Sequence, residues 1–190
     1  MHPPRILVLA TILGVLVTGC TPAAAPTPSP TPTVPQCTPE FGGDPFPCTQ
    51  ADHDAMVARQ AQYAEAERVY EAYASLDQEE LVARRQVPSD EMMALLGGRQ
   101  AEIQADLRAG QLQIATFSGT YSTKNAVPVE PLKDADGSLA LRVCRERESW
   151  VVTRTDGSTV PTTDQVLHVQ FMEAGPLLSE VRVLEDAPCE

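Results

Sequence analysis

The stretch TQADHDAMVARQAQYAEAERVYEAYASL, residues 49–76, decides the fold of this chain. It contains neither Gly nor Pro and is rich in Ala, Glu, Gln and Arg, which favour helices. Thr49 is followed three positions later by Asp52, which is an N-cap pattern. The stretch therefore predicts one long α-helix that begins near Thr49 and ends near Leu76.

One face of this helix carries an aromatic stripe. Met56, Tyr63, Ala66, Tyr70 and Tyr73 recur at helical spacing, whereas the charged residues fall largely elsewhere. We expect the tyrosines to pack in the core with their hydroxyl groups at its rim. A ligand-stacking role is the alternative, so the three tyrosines are candidate pocket residues.

Shorter helices follow the long one. Asp77 with Glu80 repeats the capping pattern and predicts a short helix that Pro88 ends. Ser89 is placed to cap a further segment, which the Gly97-Gly98 pair interrupts. The middle of the chain is therefore predicted to be broken helix.

A last helix is predicted over residues 99–109, with Gly110 as its C-terminal cap. After Gly110 the apolar residues change to an alternating pattern, which predicts a strand over residues 111–123. The two faces of that strand carry Leu112 and Ile114 on one side, and Phe117 and Tyr121 on the other.

Consecutive strands are predicted for the C-terminal half. Residues 124–136 contain Pro128 and Pro131, which indicate a loop or an irregular edge segment, and Asp156-Gly157 predicts a hairpin turn. Helices first and strands afterwards predict an α+β fold, with the long helix covering one face of an antiparallel sheet of about four to five strands. The predicted strands cover residues 139–144, 150–155, 166–172 and 181–184.

The N-terminus has the pattern of a targeting segment. Residues 1–5 form a short, positively charged N-terminal region. Residues 6–17 form an apolar run that is shorter than the ~20 residues needed to span a bilayer. Val17-Thr18-Gly19-Cys20 resembles the lipobox of bacterial lipoproteins. The resemblance implies a signal peptide over residues 1–19 and a lipid on Cys20 that holds the protein on the outer, extracytoplasmic leaflet of the cell membrane. A plain signal peptide with an incidental cysteine is the alternative.

Residues 20–36 comprise the lipidated cysteine and a spacer made almost wholly of Thr, Pro, Ala and Ser. This composition predicts a polyproline-II-like tether of roughly 3.1 Å per residue. Residues 37–190 have the length of a single domain. The net charge of −12 opposes binding to nucleic acid.

Four cysteines besides Cys20 form an even set, which in an oxidising compartment indicates two disulfides. Three pairings are possible. Cys37 with Cys48 would close a loop rich in Gly, Pro and Asp that cannot otherwise hold itself together. That leaves Cys144 with Cys189, which would fasten the C-terminal tail to a central strand.

Three segments together resemble one family. They are CTPEFGGDPFPC at 37–48, AEAERVYEAY at 64–73, and the Cys144 strand continuing to WVVTRTDG at 150–157. They resemble the uncharacterised cell-surface lipoproteins of actinobacteria, whose folded part is similar to the cone-shaped nuclear-transport-factor-two-like fold. The resemblance implies a curved sheet wrapping a long helix around a pocket. It implies no established catalytic residues.

Motifs for metal binding are weak. Asp52-His53-Asp54 offers metal ligands, but consecutive helix residues point in different directions, so an acidic helix start is the better interpretation. Asp134-Ala135-Asp136-Gly137 lacks the remaining ligands of a calcium loop and predicts a turn. The sequence therefore predicts no metal site and no cofactor.

His168 falls on the strand face opposite Leu167, Val169 and Phe171. If that face lines the cone, His168 would meet Tyr63 or Tyr70 and act as an acid or base on a small apolar ligand. Solvent exposure or structural packing is the alternative.

The leading hypothesis is a non-enzymatic, membrane-anchored lipoprotein that binds a small apolar ligand or an envelope protein. A tethered isomerase- or dehydratase-like enzyme that uses His168 and Tyr70 is the second hypothesis. A purely structural wall-associated domain is the third.

Overall fold

The structure is a computed structural model that describes residues 34–133, 138–172, 175–184 and 187–189. The predicted signal peptide, Cys20 and residues 21–33 of the spacer lie outside the described residues, as does the turn predicted at 134–137. Val34–Glu190 form one compact unit. No helix within the described ranges is long and apolar enough to cross a membrane.

Helix α1 spans Gln50–Val82, and its predicted N-cap is confirmed. The Asp52 N–H donates to Thr49 Oγ1 at 3.2 Å, and the Thr49 N–H donates to Asp52 Oδ2 at 3.3 Å. Each side chain thus satisfies a backbone donor that the first turn leaves free.

The predicted helix end near Leu76 is wrong, because Asp77 continues α1 and caps no second helix. No Gly or Pro interrupts residues 77–82, and the Asp77 carboxylate pairs with Arg108 on another helix. The helix ends at Val82, with Ala83 as its C-cap. The next residue, Arg84, has a positive φ of 54°, and the Arg85 N–H donates to the Glu80 carbonyl oxygen at 2.9 Å. These bonds form a Schellman-type cap.

Two further helices follow. Helix α2 spans Asp90–Met93 and is capped as predicted by Ser89, whose Oγ accepts from the Met92 N–H at 3.2 Å. Helix α3 spans Gly98–Ile114, so Gly110 is not its cap and the single strand predicted over residues 111–123 is wrong over its first four residues. The rest of that prediction is divided between two strands, Ala115–Ser118 and the start of Ser122–Pro128, which belong to different sheets. Leu112 is buried one helical turn after Arg108, on the same face of α3. The short alternation of apolar residues after Gly110 therefore does not mark a strand, because Leu112 is buried as part of the helix.

Within the described ranges the strands form three antiparallel sheets, where the sequence predicts one. A two-stranded sheet pairs β1 (Gln36–Cys37) with β2 (Phe46–Pro47). A second sheet has the order β3-β6-β7, with β3 Ala115–Ser118, β6 Val151–Arg154 and β7 Thr159–Val160. The largest sheet has the order β4-β5-β8-β9, with β4 Ser122–Pro128, β5 Leu139–Glu146, β8 Gln165–Phe171 and β9 Leu178–Leu184. The α+β class is confirmed.

Strand β4 lies where the sequence predicts a loop or an irregular edge segment. It is an edge strand whose register with β5 shifts between Lys124 and Val127. Its last residue is Pro128, which an edge strand accommodates because one side of its backbone needs no partner. The hairpin predicted at Asp156-Gly157 joins β6 to β7, with Gly157 at a φ of 85°.

The core lies between α1 and the largest sheet. One side of α1 packs against the sheet residues that alternate toward it, including Leu141, Val169 and Phe171. A second cluster contains Leu81 near the end of α1, Leu112 near the end of α3, and Trp150, which directly precedes β6. It packs both helices against the β3-β6-β7 sheet. Tyr63, Ala66, Tyr70 and Tyr73 of the predicted stripe therefore lie in the core, whereas Met56 is only partly buried and lies outside the core cluster.

Both predicted disulfides are present. Cys37–Cys48 closes the loop before α1 with a Cα–Cα distance of 5.8 Å, and Cys144–Cys189 joins β5 to the C-terminal tail with 5.3 Å. The first bond joins the last residue of β1 to the residue that follows β2, so the disulfide and the strand pair together close the loop over residues 38–47.

Candidate functional site

A cleft of about 720 Å³ lies between the disulfide loop, the first half of α1 and the edge of the largest sheet. We call it the disulfide-loop cleft. Its lining atoms are mainly apolar, and it is bounded by Pro39 and Phe46 from the loop, by Met56 and Tyr63 from α1, and by Leu141 from β5. Its volume lies within the range of roughly 300–1,000 Å³ that small-molecule sites occupy.

Three polar groups converge at one wall of this cleft. Arg59 Nε donates to Glu40 Oε1 at 2.8 Å, and the Tyr63 hydroxyl donates to the same oxygen at 2.6 Å. Arg59 Nη2 also donates to the Ser138 carbonyl at 2.8 Å. The Arg59 guanidinium lies 5.3 Å from the centre of the Tyr63 ring. Arg59, on α1, therefore forms hydrogen bonds both to the disulfide loop and to the residue that precedes β5.

The pKa values of this cluster follow from burial and hydrogen bonding. Burial, reinforced by the bond to Glu40, raises the pKa of Tyr63 to about 12. Burial alone would raise the pKa of Glu40, but the hydrogen bonds from Tyr63 and Arg59 outweigh it and leave this pKa lowered. At neutral pH the cluster is an ionised carboxylate held by a neutral phenol and a guanidinium, and it is not set up to donate or take a proton.

Tyr70 and Tyr73 lie farther along α1, within the core. Tyr70 is 1% exposed, and its hydroxyl accepts a 3.2 Å bond from Arg145 Nη2. The Arg145 guanidinium also lies 4.3 Å above the centre of the Tyr121 ring. Burial raises the pKa of both Tyr70 and Tyr73. Both phenols stay protonated at neutral pH, and the Tyr70 hydroxyl serves as a hydrogen-bond acceptor for Arg145.

A buried ionic triad lies next to Tyr73. Arg108 is fully buried and donates from Nη2 to Asp77 Oδ1 at 2.8 Å and from Nη1 to Glu80 Oε2 at 3.3 Å. The Tyr121 hydroxyl donates to the Ala74 carbonyl at 2.8 Å and lies 3.4 Å from Asp77 Oδ2. Burial raises the pKa of Asp77 despite the neighbouring arginine. The triad fixes α3 against α1.

A second cavity, of about 330 Å³, opens beside this triad between α1, α3 and the sheet. We call it the polar cavity. Unlike the disulfide-loop cleft, its lining is mainly polar. Tyr73 and Asp77 of α1, Gln100 and Gln104 of α3, and Arg145 of β5 contribute to its walls.

His168 lies on the other face of the largest sheet. Its neighbours Leu167 and Val169 face α1, so the strand alternation turns His168 away from the tyrosines. It is 6% exposed, and its Nε2 lies 3.1 Å from the Glu130 carbonyl oxygen. The structure therefore does not bring His168 together with Tyr63 or Tyr70, and of the candidate pocket residues only Tyr63 lines the disulfide-loop cleft.

Several site residues were not predicted from the sequence, namely Glu40, Arg59, Arg108 and Arg145. For Arg108 a signal exists, because Gln100, Gln104, Arg108 and Leu112 recur at helical spacing and are all buried. A charged residue at a buried position of such a pattern indicates an internal ion pair.

Among the residues that the structure describes, no group of three or more His, Cys, Asp or Glu side chains is arranged to hold a metal ion. No protein-family model matches the chain, and no curated protein or solved structure shows significant similarity to it.

Proposed function

We propose that this protein is a membrane-anchored, extracytoplasmic lipoprotein whose disulfide-bonded domain binds a small apolar ligand in the disulfide-loop cleft. The observation that carries the ligand-binding part is the cleft itself, which combines a volume of about 720 Å³ with a mainly apolar lining. The observation that carries the anchor is the Val17-Thr18-Gly19-Cys20 sequence.

The chemistry of the cleft favours a ligand with an apolar body. Carbon-rich walls gain free energy by excluding water, at roughly 25 cal/mol per Å² of apolar surface buried. The polar atoms of Glu40, Arg59 and Tyr63 mostly form hydrogen bonds with one another. They therefore hold the wall of the cleft in place rather than offering hydrogen bonds to a ligand. Phe41 and Phe46 of the disulfide loop are 46% and 48% exposed, and covering them would add to the gain.

The cone-like arrangement implied by the family resemblance is part of the same proposal. Its support is that the long helix lies across a four-stranded antiparallel sheet and that a cavity opens between this sheet and the helices. The third hypothesis, a purely structural domain, would leave the cleft without an occupant.

Ligand binding is tested by filling the cleft from a position that does not contribute to the core. Ala64 is exposed and lines the cleft, so Ala64→Trp places an indole there. Ala61 is also exposed on α1 but does not line the cleft, so Ala61→Trp is the matched control. The probe is the neutral fluorescent dye phenylnaphthylamine.

We expect the wild type and Ala61→Trp to bind the dye with equal affinity and Ala64→Trp to bind it at least tenfold more weakly. Equal binding by Ala64→Trp would remove the cleft as the site. Mass spectrometry of lipids and metabolites that co-purify with the wild type, but not with Ala64→Trp, would identify the natural ligand. An envelope protein recovered in the same comparison would favour the interaction module instead.

The anchor is tested separately by Cys20→Ala. We expect the wild type to fractionate with the membrane and to incorporate labelled palmitate, and we expect the variant to do neither. Membrane retention of Cys20→Ala without the label would contradict the lipid anchor and leave the cleft proposal standing.

A further inference from the structure

The Arg145 guanidinium is only partly satisfied. Its Nη2 donates to the Tyr70 hydroxyl at 3.2 Å, and its face lies over the Tyr121 ring. Its Nε is buried and has no hydrogen-bond partner among the described residues. No carboxylate of the described ranges lies within 4.0 Å of it. A guanidinium carries five donors, so most of those on Arg145 are free for another acceptor.

The acids near Arg145 are already engaged. Asp77 accepts from Arg108 at 2.8 Å and lies 3.4 Å from the Tyr121 hydroxyl. Glu80 accepts from the same arginine at 3.3 Å. Glu180, on the β9 wall of the polar cavity, accepts a 2.5 Å bond from Arg182. Asp77 acts on Arg145 electrostatically across the cavity wall, but none of these carboxylates forms a hydrogen bond or a close ion pair with its guanidinium.

A second guanidinium lies at the same cavity. Arg99, in the first turn of α3, is exposed, lines the polar cavity and has no ion-pair partner among the described residues. The cavity wall thus presents two arginines that no carboxylate of the described residues contacts directly, because its own acids, Asp77 and Glu180, are bonded to other arginines. The side-chain amides of Gln104 and Gln111 and the phenol of Tyr73 complete this wall. Burying an unpaired charge costs free energy unless a counter-charge arrives.

We propose that the polar cavity binds a small organic carboxylate, with Arg145 holding the carboxylate group and Arg99 contributing at the rim. Paired N–H donors of a guanidinium match the two oxygens of a carboxylate, which gives both charge neutralisation and orientation. The volume of about 330 Å³ limits the ligand to a compact molecule and excludes a long acyl chain.

This site is independent of the proposed apolar one. Tyr63 lines the disulfide-loop cleft and Tyr73 lines the polar cavity. The two residues are ten positions apart on α1, which corresponds to about 15 Å along the helix axis. The two cavities also differ in chemistry, because one is walled mainly by apolar atoms and the other by arginines and amides.

The test measures calorimetric binding of small carboxylates to the full-length protein. The probes are acetate, benzoate and succinate, each compared with its neutral amide, and inorganic phosphate is included as a general anion. We expect at least one carboxylate to bind saturably and its amide to bind at least tenfold more weakly, because the amide lacks the charge that strengthens the hydrogen bonds.

Three arginine variants locate the site. Arg145→Gln is expected to weaken carboxylate binding at least tenfold, and the exposed rim variant Arg99→Gln several-fold. Arg154→Gln, on the exposed β6–β7 hairpin, is the matched control and is expected to bind as the wild type does. The near-ultraviolet circular dichroism of Trp150 shows whether each variant is folded. If Arg145→Gln does not fold, the carboxylate affinity of Arg99→Gln still tests whether the polar cavity is the binding site.

Any of four results would overturn the proposal. They are an absence of saturable binding by all three carboxylates, equal binding of a carboxylate and its amide, tighter binding of phosphate than of every carboxylate, and wild-type affinity in Arg99→Gln. The dye affinity of the disulfide-loop cleft, measured on the same variants, is expected to stay unchanged.

Discussion

The Tyr63 hydroxyl donates a 2.6 Å hydrogen bond to Glu40 Oε1, and this bond joins the disulfide loop to the middle of α1. The two residues are 23 positions apart in the chain. Arg59 donates to the same oxygen, one helical turn before Tyr63. One carboxylate therefore accepts two hydrogen bonds from α1 and holds the disulfide loop against the helix.

Replacing this carboxylate with Glu40→Gln should lower the free energy of unfolding at neutral pH by about 1 kcal/mol. Hydrogen bonds to a charged group contribute about 1.5–3 kcal/mol, and we reduce that figure because the Glu40 side chain is 36% exposed. Urea unfolding measures the difference. Glu71→Gln, an exposed acid on the same helix without a described partner, should change stability by less than about 0.5 kcal/mol.

The pH dependence of the Glu40 effect has a definite sign. Its pKa is lowered in the folded protein, so the folded state favours the ionised form. The stabilisation is therefore fully present above the ordinary pKa of 4.5 and is lost as the pH falls through the lowered folded value. The wild type and Glu40→Gln should converge in stability on acidification, and a difference that persisted at low pH would contradict the ionised carboxylate.

The ionic triad predicts a larger effect. Arg108→Leu would leave the Asp77 and Glu80 carboxylates in the core without their shared cation, which should cost about 3–5 kcal/mol. The triple variant Asp77→Asn, Glu80→Gln and Arg108→Leu removes all three charges and should recover a large part of that loss. Urea unfolding of both variants checks the prediction, and an Arg108→Leu loss below 1 kcal/mol would show that water reaches the carboxylates.

Local signals in the sequence predicted much of the fold. The Thr49 cap, the Ser89 cap, the Asp156-Gly157 turn and the two disulfides were all correct, because each depends on residues that are close in the chain or on the small number of possible pairings. The helix-to-strand boundary was misplaced by four residues, because Leu112 and Ile114 satisfy a short alternating pattern even though Leu112 is buried on a helix.

The polar interior was not predicted, for a different reason. Arg108 contacts acids that lie 28 and 31 positions away, and Arg145 contacts a tyrosine 75 positions away. Periodicity shows which face of an element is buried, but it does not identify the partner across the core. The sequence therefore predicted the tyrosines of α1 as core and pocket residues without the arginines that share their environment.

The disulfides should differ in function as well as in stability. Each double Cys→Ser variant should lose about 2–4 kcal/mol, with the greater loss for Cys144–Cys189 because its ends are 45 positions apart and those of Cys37–Cys48 only 11. Loss of Cys37–Cys48 also frees the loop that carries Glu40 and Phe46. Phenylnaphthylamine binding should weaken in that variant alone, and equal weakening in both would indicate a general loss of structure.

Two glycines give opposite predictions for the same substitution. Gly110 lies inside α3, is exposed, and has no atom within 4 Å of the position that a Cβ would occupy. Gly110→Ala should therefore stabilise the protein by about 0.5–1 kcal/mol, because alanine loses less backbone entropy on forming the helix. Thermal unfolding should show a small rise in Tm.

Gly119 lies between β3 and β4 at a φ of 80°, and a Cβ there would lie 1.8 Å from the Ser149 carbonyl oxygen. Alanine at this position would meet both an unfavourable backbone conformation and a backbone atom that cannot move aside cheaply. Gly119→Ala should therefore lower Tm, in contrast to Gly110→Ala. If Gly110→Ala also lowered Tm, α3 would have to end near residue 110, as the sequence pattern alone indicates.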